Sequence, residues 1–410
     1  MVRFPHLNLH LNLHLNLHLN PPNHPPMHVP LLDLKKQYEP LRDQIRAKID
    51  EIATSQQFIL GPEVESLERE IRAYTGAGHA IGVSSGTDAE LAILMALGID
   101  PGDAVVTTPY TFFATAGGIA RLGARILFAD IDPATFNLSP TRLRECLETH
   151  RGEKIKAIIP VHLFGLSCQM DEIRAIAAEH GIPVIEDAAQ ALGAEYPGPH
   201  GPQKCGAIGE FGFYSFFPSK NLGAFGDGGM IVCRDEAMAH KIRILRNHGM
   251  EQRYHHHTVG GNFRLDALQA AILRIKLPHL DQWSAMRRAN AALYRAEFQR
   301  AGLDLLLPVE PFASQSPTIP NHHIYNQFVI RVPRRDDLLQ HLGAAGIGRA
   351  VYYPIPLHLQ ECFSGLGYKP GDFPESERAA LETIALPIFP ELTPAQQRAV
   401  VAAIAAFHHK

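Results

Sequence analysis

The chain has few cysteines, little net charge and no long apolar run, and each absence excludes a class of protein. Of its 410 residues five are cysteine, and none forms a C-x-x-C pair, so reduced structural thiols are favoured over a disulfide framework. A formal net charge of −4 creates no field that would attract nucleic acid or an acidic membrane. No apolar stretch is long enough to cross a bilayer. We therefore expect a cytoplasmic protein that binds neither nucleic acid nor membrane.

The beginning of the chain differs from the rest, whose 46% hydrophobic and 20% charged residues are typical of globular proteins. The unit His-Leu-Asn-Leu repeats from His6 to Asn20, and four prolines follow before residue 27. Because every second residue is His or Asn, the tract lacks the continuous apolar stretch of a secretory signal. Strand pairing and metal binding are alternatives for such a tract. We interpret residues 1–29 as a disordered extension, with globular sequence beginning near Val29.

Apolar runs that alternate with helical patterns predict an α/β fold. Such alternation is typical of a mostly parallel sheet covered by helices on both faces, here with seven strands in a large domain at 30–280. A glycine-rich link at 226–229 predicts that the last two of these strands pair antiparallel. The strands are predicted at 80–83, 104–108, 125–130, 156–161, 183–187, 211–216 and 230–233.

Helical patterns flank this sheet, and a smaller α+β domain is expected at 281–410. Helices at 40–75 are broken by Gly61 and Pro62, and a long helix at 262–298 is expected to kink at Pro278. Strands of the small domain are predicted near 327–332 and 351–353. Its last helix is expected to start at Thr393 with a capping box.

An acid and a lysine follow two of the predicted strands. Asp187 ends the apolar run at 182–187, at the strand end where open α/β sheets bind ligands. Lys220 follows the aromatic strand at 211–216. Alone, Asp187 could cap a helix or bind a metal, and Lys220 could be an ordinary exposed lysine. Together they favour a pyridoxal phosphate (PLP) site, where the lysine forms a Schiff base and the acid keeps the pyridine nitrogen protonated.

A small-residue turn at 81–88 leads from the first strand into a helix. Backbone N–H groups and the helix dipole at such a turn favour an anion, here the cofactor phosphate. The Asp88 carboxylate should not face a phosphate, so we expect either its backbone N–H to take part or its side chain to cap the helix. Ser215 could donate its hydroxyl to the phosphate or bond to the backbone.

The chain resembles the DegT/StrS family of PLP-dependent sugar aminotransferases, which have the fold type I architecture of aspartate aminotransferase. The resemblance covers about residues 30–408. Its matching segments are 82–89, 107–115, 160–165, 186–191, 215–223, 246–249, 261–266 and 353–358.

The resemblance implies a role for each of the candidate residues. Lys220 would be the Schiff-base lysine and proton carrier, Asp187 the partner of the pyridine nitrogen, and Gln190 a neighbour of the phenolic oxygen. Phe112 would stack on the ring. The phosphate would be held by Gly86, Thr87, Asp88 and Ser215.

The resemblance also implies a homodimer with shared active sites. Asn262 matches an asparagine that reaches the phosphate bound by the neighbouring subunit, and Arg264 is a weaker candidate from the same loop. His162 and His358 could line the sugar pocket or be structural histidines. The three histidines at 255–257 cannot easily face one ion from a regular element, so we expect a solvated loop and no metal.

The implied reaction transfers an amino group, usually from L-glutamate, to a keto-sugar joined to a nucleoside diphosphate. The segment at 218–229 is most similar to members that act on 3-keto sugars, and C3 is therefore preferred over C4. Two alternatives stay open. One is a PLP-dependent sugar dehydratase, which Lys220 argues against because such relatives carry His there. The other is a regulator without catalysis, although the chain has no helix-turn-helix or basic stripe.

Overall fold

The structure is a computed structural model that describes residues 27–315 and 318–408, so most of the predicted N-terminal extension lies outside the described residues. The strands are β1 His79–Val83, β2 Ala104–Thr107, β3 Arg125–Phe128, β4 Ile155–Ile158, β5 Ile185–Asp187, β6 Glu195–Gly198, β7 Gly201–Lys204, β8 Phe211–Ser215, β9 Gly229–Cys233, β10 Met250–Gln252, β11 His255–His256, β12 Phe328–Arg331 and β13 Thr383–Leu386. The helices are α1 Leu34–Tyr38, α2 Arg42–Ser55, α3 Pro62–Thr75, α4 Gly86–Ala96, α5 Ala114–Arg121, α6 Pro140–Thr149, α7 Met170–His180, α8 Glu236–Arg246, α9 Ala267–Lys276, α10 Leu280–Arg300, α11 Arg335–Ala344, α12 Pro374–Glu382 and α13 Pro394–His408.

Within the described residues, seven strands form the central sheet in the order β1-β9-β8-β5-β4-β2-β3. Two hydrogen-bonded groups, β1-β9-β8-β5 and β3-β2-β4, are joined by parallel bridges from Ile158 to Val184 and from Val161 to Asp187. The pairs β5–β8, β2–β3 and β2–β4 are parallel, whereas β9 runs antiparallel to β1 and β8. The prediction of a mostly parallel seven-stranded sheet with an antiparallel last pair is confirmed.

Alternating side chains along the strands bury both faces of this sheet, because successive residues of a strand point to opposite sides. Ile81 and Ile231 pack into a core with α4, α5 and α8. Ala80, Met230 and Val232 pack into a second core with α3 and α9. The carboxyl ends of the parallel strands are left at one open edge, where the candidate site lies.

The C-terminal part of the chain has a core of its own, and residue 29 belongs to it. The Val29 side chain is 0% exposed and packs with Tyr294, Phe328 and Ile404. Val29 also donates its N–H to the Gly346 carbonyl at 3.1 Å. The folded chain thus includes the last residue of the predicted extension. The domain boundary at 280 stays a prediction; it coincides with the first residue of α10.

Most of the predicted C-terminal elements are present, but the predicted strand at 351–353 is not. The one-turn 3-10 segment Leu277–His279 interrupts the long helix at Pro278, and Thr393 and Gln396 form the expected capping box. The predicted strand at 351–353 is irregular, and β12 pairs instead with β13. β13 follows α12 directly, so in the sequence its short apolar run cannot be distinguished from a continuation of the helix.

The histidine tract is more regular than predicted. His255 and His256 form β11, which pairs with β10 in an exposed hairpin. No helix in the described ranges is both long and apolar enough to cross a membrane.

A buried glutamate fixes the strand that ends in Asp187. Glu186 is 0% exposed, and its carboxylate accepts the backbone N–H groups of Gly206, Ile208 and Gly209 at 2.7, 2.6 and 2.6 Å. It also contacts His162 Nε2 at 2.8 Å. Buried carboxylates are stable only when donors replace water, so these contacts hold β5 between β4 and the turn before β8.

Replacing Glu186 with alanine should lower the free energy of unfolding by about 3–5 kcal/mol, because several buried donors lose their acceptor at once. Urea unfolding measures this difference. Glu65→Ala, at an exposed position on α3, is the control and should change stability by less than about 0.5 kcal/mol. Equal effects of the two substitutions would contradict the structural role of Glu186.

Candidate active site

A cavity of about 430 Å³ lies at the carboxyl end of the sheet and contains most of the predicted site residues. Asp187 ends β5, Ser215 ends β8 and Gly86 follows β1, so the topology brings three distant segments to one edge. The predicted residues that line the cavity are Gly86, Thr87, Phe112, Asp187, Gln190, Ser215 and Lys220.

Asp187 is a buried carboxylate with two donors. Its Oδ2 accepts the Thr115 hydroxyl at 2.8 Å, and its Oδ1 accepts the Ala189 N–H at 3.0 Å. Burial raises the pKa of Asp187, and these hydrogen bonds and the Lys220 charge oppose the rise only in part. A cation placed beside the carboxylate would keep it ionised, as a pyridinium nitrogen would.

Lys220 lines the same cavity as Asp187 and supplies an amine there. Burial lowers the pKa of its amine to about 8, while attraction to Asp187 opposes the fall. A neutral amine is the nucleophilic form, and near neutral pH Lys220 has a larger neutral fraction than an exposed lysine.

The N-terminus of α4 forms an anion cradle, by which we mean Gly86, Thr87 and Ser215. Ser85 caps the helix, since its Oγ accepts the Asp88 N–H at 3.0 Å. A Cβ on Gly86 would lie 2.9 Å from Ser215 Cβ, so glycine lets the two segments meet. Ser215 Oγ accepts the Phe217 N–H at 3.3 Å and keeps its own hydrogen for another acceptor.

Asp88 is hydrogen-bonded to two neighbouring serines. Its N–H is already bonded to Ser85, and its Oδ2 accepts the Ser84 hydroxyl at 2.6 Å. Ser85, not Asp88, caps the helix, and Asp88 does not line the cavity; a contact between the Asp88 N–H and phosphate stays a prediction. A serine followed three residues later by an acid would have indicated this arrangement.

Aromatic side chains form the open side of the cavity. Phe112 is 56% exposed, and its ring centroid lies 6.0 Å from that of Tyr353. Gln190 is fixed within the chain, because its Oε1 accepts the Phe164 N–H at 2.7 Å and its Nε2 donates to the Tyr353 hydroxyl at 3.1 Å. Burial raises the pKa of Tyr353, so its hydroxyl stays neutral and can donate.

Two lining residues were missed by the sequence analysis. Thr115 orients Asp187, and Tyr353 contacts Gln190. Both lie in segments that carry the family resemblance, at 107–115 and 353–358. Nothing in the residue types alone separated them from the neighbouring threonines and tyrosines.

His162 and His358 do not line the cavity in this chain. His162 is 0% exposed; its Nε2 lies 2.8 Å from Glu186 Oε2, and its Nδ1 accepts the Cys168 N–H at 3.0 Å. His358 is 2% exposed, and its Nε2 lies 3.0 Å from Glu377 Oε1. These contacts favour the structural alternative for both histidines, and a contact with the sugar stays a prediction.

Asn262 and Arg264 line a second cavity, of about 450 Å³. Arg264 donates to Asn247 Oδ1 at 2.9 Å, and Asn262 is exposed. Asp227 borders both cavities. Neither Asn262 nor Arg264 lines the cavity of Lys220 in its own chain.

The residues present fit PLP. The first cavity has the size of a small-molecule site and combines a buried carboxylate, an amine with a lowered pKa, an anion cradle and an exposed aromatic face. These groups match the pyridine nitrogen, the aldehyde, the phosphate and the flat ring of the cofactor.

Comparison with known proteins identifies the family. A family model described as the DegT/DnrJ/EryC1/StrS aminotransferase family matches residues 40–405. The chain belongs to this family. Several similar proteins are named sugar aminotransferases, and this protein is a PLP-dependent sugar aminotransferase.

Similar proteins cover almost the whole chain. A "pleiotropic regulatory protein" of Geobacillus stearothermophilus is 50% identical over 92% of this chain and 98% of that protein. A UDP-N-acetyl-3-dehydro-alpha-D-glucosamine 3-aminotransferase of Acidithiobacillus ferrooxidans is 42% identical over 88% of this chain and 93% of that protein. The crystal structure of DesV from S. venezuelae is 39% identical, with a TM-score of 0.86 over 93% of this chain and 99% of that chain. The likeness to DesV extends the fold type I assignment to both parts of the chain.

The lowered pKa of Lys220 predicts the pH dependence of its reactivity. In the protein freed of cofactor, labelling of Lys220 by an amine-selective reagent should rise with pH and be half-maximal near pH 8, because the neutral amine reacts. Mass spectrometry of the labelled peptide measures it, and Lys220→Met confirms the assignment. A midpoint near that of a free lysine would contradict the burial of this amine.

Proposed function

We propose that the protein transfers the amino group of L-glutamate to C3 of a keto-sugar carried by a nucleoside diphosphate. The main support is the single cavity that combines Lys220, Asp187 and the anion cradle. The Acidithiobacillus relative, named as a 3-aminotransferase acting on a 3-dehydro sugar nucleotide, supports the choice of C3.

Each residue has a defined task in this reaction. Bound PLP supplies an aldehyde for amine exchange and an electron-poor ring that accepts electrons from the neighbouring carbon. The neutral Lys220 amine would hold the cofactor through its aldehyde and, when free, would carry a proton between the donor carbon and the cofactor. Asp187, oriented by Thr115, holds the proton on the ring nitrogen. The anion cradle binds the phosphate and fixes the ring.

The two substrates use the cavity in turn. One set of residues would serve both half-reactions, with glutamate as the amino donor and the keto-sugar as the acceptor. The Tyr353 hydroxyl, held by Gln190 on the open side, is placed to donate to a substrate oxygen. Five free cysteines, four of them buried, are consistent with the reducing cytoplasm, where we place the reaction.

We further propose a homodimer in which Asn262 and Arg264 complete the site of the other subunit. Asn262 is exposed and lines the second cavity of its own chain. Phe217 and Phe225, exposed by 52% and 45%, lie just before and after Lys220 and would be covered by a partner. A second subunit would therefore bring a side-chain amide to the phosphate and cover apolar surface.

Glutamate should change the absorption of the purified protein. With PLP bound, the visible band should shift when glutamate is added, because the cofactor takes up the amino group. Lys220→Ala should abolish the turnover of keto-sugar, and Asp187→Asn should lower it by about 10²–10⁴-fold because the ring nitrogen loses its counter-charge. A protein that stayed colourless after PLP was added would overturn the proposal.

Product analysis separates the proposed reaction from the dehydratase alternative. An amino sugar with its nitrogen on C3 is expected. A deoxy sugar, or nitrogen on C4, would contradict the proposal.

Mixing two inactive variants tests the shared site. In Lys220→Ala the amine is missing, and in Asn262→Asp a negative charge would face the phosphate of the other subunit. Random exchange of subunits should restore about a quarter of wild-type activity, since half of the dimers are mixed and each has one intact site of two. Lys220→Ala mixed with Asp187→Asn is the control: both residues belong to one chain's cavity, so no intact site forms. Equal activity of the two mixtures would contradict the shared site.

A further inference from the structure

Helix α9 contacts the loop that carries Lys220 at two points. We define the lysine loop as residues 216–225. Gln269 Oε1 accepts the Phe225 N–H at 2.8 Å. Lys276, the last residue of α9, donates from its Nζ to the Gly223 carbonyl at 2.5 Å. The Lys276 ammonium also lies 5.6 Å from the centroid of the Phe225 ring.

Lys276 is unusual because it is buried without a carboxylate partner in its hydrogen bonds. Its residue is 4% exposed, and burial lowers the pKa of its amine to about 8. Burying a lysine is unfavourable unless its amine is satisfied, and the Gly223 carbonyl and the Phe225 ring are the contacts that satisfy it. The interaction is therefore specific for the lysine loop and is not a chance surface contact.

The lysine loop is tight and needs support at its C-terminal end. Its ends are joined by the Ala224 N–H, which donates to the Phe216 carbonyl at 2.8 Å. A Cβ on Gly223 would lie 2.2 Å from the Pro218 carbonyl oxygen, so the chain closes on itself at this point. Asn221 holds the other side by donating to the Ile324 carbonyl at 3.1 Å. Lys220 thus projects from a loop fixed on one side by Asn221 and on the other by α9.

We propose that Lys276 and Gln269 are positioning residues for Lys220, which hold the lysine loop against α9 so that its amine stays enclosed in the cavity. The inference rests on the proposed role of Lys220. It gives two residues outside the cavity, Lys276 and Gln269, a part in the reaction through the position of Lys220. Because α9 also continues directly from the loop of Asn262 and Arg264, the same helix fixes both segments that are proposed to meet the cofactor.

Hydrogen exchange of the whole protein tests directly whether Lys276 and Gln269 hold the lysine loop against α9. In Lys276→Met the backbone amides of Ala224 and Phe225 should exchange about tenfold faster or more, because the loop opens without unfolding the sheet. Gln269→Leu should act in the same direction and removes no charge. Lys204→Met is the control: Lys204 donates to the Gly193 carbonyl at 3.3 Å and to Glu195 Oε1 at 2.9 Å, and lies 5.0 Å from the Tyr74 ring, but it does not contact the lysine loop.

Labelling of Lys220 gives a second result that a merely stabilising role would not produce. Lys276→Met and Gln269→Leu should move the pH of half-labelling upward by roughly half a unit, since a looser loop exposes the amine to water. The proposal would be overturned if amide exchange in the lysine loop and labelling of Lys220 were unchanged in both variants. An equal effect of Lys204→Met on amide exchange in the loop would also overturn it. Both measurements are made without cofactor, so a negative result would not contradict the proposed reaction. Conversely, a protein that stayed colourless with PLP but showed the expected exchange and labelling would contradict the reaction alone.

Discussion

The site depends on a carboxylate that is buried before any cation is bound beside it. Asp187 keeps two hydrogen bonds, from Thr115 and Ala189, yet its pKa stays above the ordinary value because water is excluded. A cationic ring nitrogen beside such a group would keep it ionised, since their attraction offsets the cost of desolvation. The same enclosure lowers the pKa of Lys220, so one physical cause prepares both the acid and the amine.

The fold explains why these groups meet. Parallel strands end at one edge of a sheet, and here β1, β5 and β8 deliver the anion cradle, Asp187 and the segment leading to Lys220 to that edge. Glu186, one residue before Asp187, points to the opposite side of β5 and bonds to the turn before β8. Neighbouring acids on one strand therefore have opposite tasks: one fixes the strand and the other is available to the cofactor.

Much of this was predictable from the sequence, and the failures have physical reasons. Apolar runs located all seven strands of the central sheet, because a strand buried on both faces has a distinct composition. The strand at 383–386 was missed because it continues a helix without a break. The sequence did not single out Ser85 as the cap of α4, because a helix start allows several caps and side-chain direction decides between them. Both alternatives for His162 and His358 stayed open because their partners, Glu186 and Glu377, are distant in sequence.

The central claim is that Asp187 holds a proton on the ring nitrogen of PLP while Lys220 binds its aldehyde. Nitrogen-15 NMR of the protein loaded with ring-labelled PLP measures that proton directly. We predict a protonated ring nitrogen in the wild-type protein at neutral pH and a deprotonated one in Asp187→Asn. A ring nitrogen that is deprotonated in the wild type, or that is unaffected by Asp187→Asn, would contradict the account.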